Sequence, residues 1–163
     1  MKVRAAGTAD AAAIDDVRFS SWRAAYGNLL PADAFTQWDH AAACARVADQ
    51  LASGHYRALV AEDGGEIVAF VSFGPYRDDD LTGAGEVYAL YARPDRWSTG
   101  LGRMLLPAAV EALGIRPVVL WVLAANSRAR RFYEVAGWRL DGAEKPAQLL
   151  GGVELPEVRY RLD

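Results

Sequence analysis

Two short stretches of the chain carry residues whose types and spacing could do chemistry. In Asn126-Ser127-Arg128-Ala129-Arg130-Arg131-Phe132-Tyr133, a repeat of 3.6 residues per turn aligns Asn126, Ala129, Arg130 and Tyr133 on one face. An amide, a small residue, a guanidinium and a phenol in that row can receive a polar chain and end at a proton donor. The ordinary phenol pKa of about 10 keeps Tyr133 protonated at neutral pH. The same row also fits an amphipathic tyrosine at a core edge beside solvated arginines.

The second stretch is Arg93-Pro94-Asp95-Arg96-Trp97-Ser98-Thr99-Gly100-Leu101-Gly102-Arg103. It joins a strand-like run to a helix-like one. Gly100 and Gly102 allow backbone approaches that side chains would block. The helix that begins at Leu101 brings unpaired N–H groups and a partial positive charge to its start. Together these suit a phosphate or pyrophosphate, although a bare G-x-G also fits a plain tight turn. Two better-known nucleotide loops do not match. A dinucleotide fingerprint needs a third glycine where Leu105 stands, and a P-loop needs a lysine where none occurs between Lys2 and Lys145.

The elements that must position these stretches follow from periodicity. Val3–Ala5 reads as a short strand, and a helix runs from the capping residues Thr8 and Asp10 to Tyr26, with Ile14, Val17, Ser21, Ala24 and Ala25 as its inner stripe. One or two helices follow Pro31 and end at Ser53, with Gly54 as cap. Tyr56–Glu62 and Glu66–Phe73 read as a hairpin around Asp63-Gly64-Gly65. A loop over 75–85 with the acidic run Asp78-Asp79-Asp80 leads to a strand, Glu86–Ala92. Then come a helix over Leu101–Leu113, a buried strand over Val118–Leu123, a helix over Ser127–Ala136, and strands at Trp138–Leu140 and Val153–Leu162. In the last strand Val158, Tyr160 and Leu162 alternate with Glu157, Arg159 and Arg161, so the first set is expected inside. The order is that of an α/β domain.

Composition sets the outer limits. The 163 residues, 52% hydrophobic and 24% charged, suit one globular domain over 1–163. The formal charge is −3, which argues against a general nucleic-acid binder. That total averages two unlike halves: residues 1–81 hold 7 basic and 12 acidic side chains, and residues 82–163 hold 11 and 9. From Arg93 to Arg131 seven arginines face only Asp95 and Glu111. An anion is thus expected in the second half, and a cation in the acidic first half. Cys44 is the only cysteine, so no internal disulfide forms, and it reads as structural. No signal peptide and no apolar run of membrane-spanning length is present, so a cytoplasmic protein with no membrane partner is expected. His40 and Cys44 are spaced i, i+4, but with His55 as the only other histidine no metal site is expected.

Taken in order, the two stretches resemble the GNAT superfamily of N-acetyltransferases. Glu86–Ala92 followed by Arg93-Pro94 looks like that family's central strand. Gly100-Leu101-Gly102 resembles the core of its R/Q-x-x-G-x-G/A loop, with Trp97 where the Arg or Gln would stand. Asn126, Ala129, Phe132, Tyr133, Gly137 and Trp138 match its N-x-x-A-x-x-h-Y-x-x-x-G-aromatic pattern. The resemblance is close over Tyr56–Leu162 and looser before it.

The resemblance implies a mixed, mostly antiparallel sheet of about seven strands with helices on both faces. It implies acetyl-CoA as acetyl donor and transfer to a primary amine of a small molecule, peptide or protein by direct attack. Leu90, Tyr91 and Ala92 would hold the pantetheine arm like an added strand, with the Leu90 amide donating to the acetyl carbonyl. Trp97, Ser98, Thr99, Gly100, Leu101, Gly102 and Arg103 would hold the pyrophosphate, with Arg96 and Arg103 standing in for the missing Arg or Gln. Asn126 would bond the arm, Arg130 would lie near the adenosine end, and Tyr133 would protonate the departing thiolate. Glu86 resembles an acidic residue that serves as general base at that strand. Trp22, Tyr26, Tyr76, Tyr88 and Tyr91 are the aromatic candidates to line the acceptor pocket. The alternative is a non-catalytic acyl-CoA-binding regulatory module, which the pairing of Glu86 with Tyr133 argues against. A homodimer is the commonest symmetric assembly for such a domain.

Overall fold

The hydrophobic pattern switches period at Gly54, and the backbone switches with it. Gly54 adopts a left-handed conformation (φ 75°) and stops the second helix. A computed structural model describes residues 1–163. In chain order it contains β1 (Lys2–Ala5), α1 (Ala11–Tyr26), α2 (His40–Ser53), β2 (Arg57–Asp63), β3 (Glu66–Pro75), β4 (Gly85–Ala92), α3 (Leu101–Leu113), β5 (Val118–Leu123), α4 (Ser127–Val135), β6 (Arg139–Gln148) and β7 (Glu154–Leu162). The β2–β3 turn has both glycines at positive φ, Gly64 at 61° and Gly65 at 87°, as a two-residue hairpin of matching twist requires.

The strands form one sheet in the order β1-β2-β3-β4-β5-β7-β6. Only β4 and β5 run parallel; the other pairs are antiparallel. This is the mixed seven-stranded sheet expected. Its two faces are covered by different helices. Ile14 and Val17 of α1 and Val47 of α2 pack with Val60 and Phe70 on one face. Leu101, Leu105, Leu106 and Ala109 of α3 pack with Val71, Val87 and Leu120 on the other. β3 is therefore buried on both sides, which explains its nearly continuous apolar run.

Three expectations shift. The inner stripe of α1 is Ala11, Ile14, Val17 and Ser21 with the carboxylate of Asp15, whereas Ala24 and Ala25 are exposed. The turn after Pro31 is a short 3-10 turn at Ala34–Gln37. The strand expected to end at Leu140 runs on to Gln148 through Gly142 and Pro146. β6 is an edge strand, where a missing N–H is tolerated, so Pro146 pairs opposite Pro156 without cost to a central ladder.

Candidate active site

The sheet opens at one place. β4 and β5 pair only over Gly85–Val87 and Val118–Leu120. Beyond that, β5 goes on to Leu123 and β4 to Ala92 without meeting. The cause of the divergence is local. Between β3 and β4 the register steps from Ser72↔Ala89 to Phe73↔Val87, so Tyr88 is an extra residue and β4 bends there.

The bend leaves backbone groups free on the β5 side. The Arg93 N–H donates to the Val68 carbonyl of β3 (2.9 Å). Alternation along the strand then turns the Tyr91 and Ala89 amides toward β3 as well. The N–H of Leu90 points the opposite way, into the gap.

The gap is the mouth of a cavity of about 530 Å³. β4 contributes Tyr88, Ala89, Leu90 and Tyr91; β5 contributes Leu120–Leu123; α4 contributes Ala129 and Tyr133, preceded by Asn126. α1 supplies Trp22 and Tyr26, and β6 and β7 close the far wall with Lys145–Gln148 and Glu157. Two buried indole N–H groups of this wall, Trp22 Nε1 and Trp121 Nε1, have no hydrogen-bond partner.

Tyr133 reaches the cavity from α4 and is otherwise buried against Phe132, Trp138 and Tyr160. Burial, with smaller contributions from Tyr91 and Tyr26, raises its pKa well above that of an ordinary phenol. The hydroxyl thus keeps its proton across neutral and alkaline pH. Asn126 is the N-cap of α4: its Oδ1 accepts from the Ala129 N–H (3.1 Å), and its Nδ2 donates to the Tyr26 hydroxyl (2.9 Å). One side chain thereby fixes the start of α4 and the aromatic wall from α1.

The Trp97–Arg103 loop lies at the start of α3. Gly100 is the N-cap at φ 94°, a conformation that side chains resist, and it supplies no side-chain cap. The first amides of α3 are therefore open to an anion. Ser98 is also left-handed (φ 65°), and Thr99 Oγ1 donates to the Arg96 carbonyl (2.7 Å). Trp97 spans the loop and the strand, donating its indole N–H to the Ala92 carbonyl (2.9 Å). An unpaired strand edge leading to an uncapped helix start is a shape that a pantetheine arm and pyrophosphate fit.

Several predicted residues have other partners. Arg96 pairs with Asp63 (2.7 Å), so of the two arginines expected to compensate at the loop only Arg103 is free of an ion pair. Arg130, expected near the adenosine end, donates to the Tyr160 hydroxyl (3.2 Å) and the Ala124 carbonyl (3.1 Å), which braces the start of α4. The arginine at the loop is Arg128, whose guanidinium sits 4.1 Å from the Trp97 ring centre. Tyr76 bonds Asp80 and Arg159 and does not line the cavity, whereas Trp22, Tyr26, Tyr88 and Tyr91 do.

Glu86 is 1% exposed and takes three hydrogen bonds from Arg77: one from its backbone N–H and two from its guanidinium (2.6 and 3.0 Å). It clasps the loop after β3 to the sheet and is not among the cavity-lining residues. The carboxylate that does line the cavity without a partner is Glu157. Strand alternation assigned it to a solvent face with Arg159. That face is in fact covered: Glu157 lines the cavity, and Arg159, which does not, is buried between Asp80 and Asp141 (2.7 Å each). His40 Nδ1 is engaged by the buried Asp15 (2.8 Å), and no group of three or more His, Cys, Asp or Glu is placed to hold a metal ion. No helix is long and apolar enough to cross a membrane.

Comparison with known proteins agrees with this geometry. Residues 14–138 match the model of the Acetyltransferase (GNAT) family. An uncharacterized N-acetyltransferase of Bacillus subtilis, YuaI, is 30% identical over 155 residues, covering 85% of this chain and 87% of its own. A probable N-acetyltransferase of Mycobacterium tuberculosis, Rv2775, is 33% identical over 112 residues, covering 69% of this chain; the match spans only 63% of that relative. The PaiA N-acetyltransferase of Thermoplasma acidophilum, solved in complex with coenzyme A, has the same fold, with a TM-score of 0.76 at 16% identity over 99% of this chain and 98% of its own. The family match over most of the chain, with a relative of 30% identity along nearly its whole length, shows that the chain belongs to the GNAT family of acetyltransferases.

Proposed function

We propose that the protein transfers an acetyl group from acetyl-CoA to a primary amine of a small molecule or peptide by direct attack. The carrying observation is that one cavity receives both an unpaired backbone donor, the Leu90 N–H, and a buried phenol, Tyr133. Acyl transfer needs those two groups at the two ends of the thioester.

Acetyl-CoA, when bound, supplies an activated carbonyl and a thiol leaving group. Leu90, Tyr91 and Ala92 hold the arm along the free edge of β4. The Leu90 amide stabilises negative charge that builds on the carbonyl oxygen, a contribution of about 3 kcal/mol per donor in such sites. Tyr133 holds a proton at Oη and gives it to the sulfur. The amides of Leu101, Gly102 and Arg103 and the side chain of Arg128 take the pyrophosphate. Trp22, Tyr26 and Tyr88 shape the acceptor side. Cys44, on α2, is not among the residues that line this cavity, consistent with a route that needs no covalent enzyme intermediate.

The test is thiol release from acetyl-CoA by the purified chain with spermidine, tyramine, L-lysine and a tetrapeptide bearing a free α-amine. Acceptor-dependent release supports the reading. Coenzyme binding with no release across such acceptors overturns it and leaves an acyl-CoA-binding module.

A further inference from the structure

The cavity holds a carboxylate that its surroundings leave without a partner. Glu157 is on β7, opposite Leu123 of β5 and Lys145 of β6. It is half-buried and lines the same cavity as Leu90 and Tyr133. The other carboxylates nearest it are engaged: Glu86 by Arg77, Asp78 by Lys145 (2.6 Å), and Asp80 and Asp141 by Arg159. Lys145, the cross-strand neighbour of Glu157, spends its ammonium on Asp78 and on the face of Trp121 (4.2 Å). Of the two carboxylates that line the cavity, Asp78 and Glu157, only Glu157 makes no ion pair and no side-chain hydrogen bond.

We propose that Glu157 is the general base that takes the proton from the acceptor's ammonium. The assignment rests on the acetyl-transfer reading above. A carboxylate without a partner in a partly dry pocket attracts a cationic amine and is free to accept its proton. Glu86 would first have to leave three hydrogen bonds.

The charges around Glu157 tune the same function. Lys145 of β6 and Arg77 of the loop after β3 favour its ionised form. Glu86 of β4 and Asp78 of that loop oppose it, and the Tyr91 phenol of β4 feels its charge. Burial is the largest influence and raises the carboxyl pKa above its ordinary value, which brings its proton affinity closer to that of an amine.

The transfer then balances. Glu157 takes one proton from R–NH3⁺. The freed lone pair forms the C–N bond as the C–S bond breaks. Tyr133 Oη gives its proton to sulfur and is restored by the second proton of the acylated nitrogen. Glu157 releases its proton to solvent through the open mouth. The products are the amide, the free thiol and one proton.

The experiment uses whichever of spermidine, tyramine, L-lysine and the tetrapeptide the wild-type chain acetylates best. Glu157→Gln is expected to lower kcat about 100-fold near pH 7. The deficit should shrink as the pH approaches the acceptor's own pKa, about 10 for an alkyl amine and about 8 for a peptide α-amine, where the amine loses its proton unaided. The KM for acetyl-CoA and its calorimetric Kd should stay within about twofold. A purely structural role would give a deficit that does not change with pH.

Lys145→Met leaves Glu157 in place but removes a charge that favours its ionised form, so the acidic limb of kcat/KM should move to higher pH. Activity of Glu157→Gln within about threefold of wild type at pH 7 overturns the assignment. So does a pH-independent deficit, or an acidic limb that Lys145→Met leaves in place. Wild-type protein that acetylates none of the four amines overturns the acetyl-transfer reading itself, and the role of Glu157 with it.

Discussion

The guanidinium of Arg128 lies 4.1 Å from the centre of the Trp97 ring, joining the first turn of α4 to the glycine loop before α3. The same indole donates to the Ala92 carbonyl at the end of β4. Arg128 has no carboxylate partner, so its charge is available at the loop. Arg128→Ala should raise the KM for acetyl-CoA about tenfold, the loss of roughly one charge-assisted contact, with kcat nearly unchanged. Initial rates at low and high salt check this. The variant should also show a shallower salt dependence, because one exposed charge that salt screens is gone.

Tyr133 has a second testable property: its hydroxyl has no partner within the protein. Tyr133→Phe should therefore leave the midpoint of urea unfolding almost unchanged, within about 0.5 kcal/mol. Turnover should fall about 100-fold, while coenzyme A still binds. Because burial holds the phenol pKa far above its usual value, the wild type should show no alkaline loss of activity from this group below about pH 10.

The Arg77–Glu86 clasp predicts a stability effect. Glu86 is almost fully buried, while Arg77 is 61% exposed in its side chain. Arg77→Ala strands a buried carboxylate and should cost about 2 kcal/mol, less than a fully buried pair because solvent reaches one side. Adding Glu86→Gln to that variant should recover part of the loss. Urea denaturation of the two variants measures it.

Acid should loosen the start of the chain. Asp10 has its carboxyl pKa lowered, first by hydrogen bonds from Arg4 and then by the Gly7 N–H. A carboxyl whose folded pKa is depressed adds stability that is fully present above its unfolded value near 4 and is lost as the pH falls through the folded one. Asp10→Asn should flatten the fall of stability below about pH 4, measured by thermal melts across that range. Unchanged acid sensitivity would remove the pair from the account.

Much of the site was legible as residue order. Asn126 and Tyr133 lie two turns apart on one helix, so local geometry alone puts them on one face. Gly100 needed only a strand before it and a helix after it. The acidic candidate was another matter. Glu86 stands at the right strand, but its role depends on Arg77, nine residues earlier, folding back over it. Arg128 and Arg130 differ by two positions, about 200° around a helix. Which of them reached the loop depended on where Trp97 and Tyr160 lay. Along β6, Gly142 and Pro146 break the strand pattern, and nothing local says that this strand has only one neighbour.

The four helices, the central strands, the hairpin turn and the two motifs follow from residue order, because each depends on contacts within a few residues; the length of β6 does not. Tertiary structure decided which charges are spent and which are free. The divergence of β4 from β5 comes from the bulge at Tyr88 and makes the cavity. Packing across the sheet covers an apparently solvated row: Glu157 lines the cavity and Arg159 is buried outside it. Arg159 found two carboxylates there and Glu157 found no partner. Pairing of that kind depends on distances across the sheet, which the order of residues along one strand does not contain.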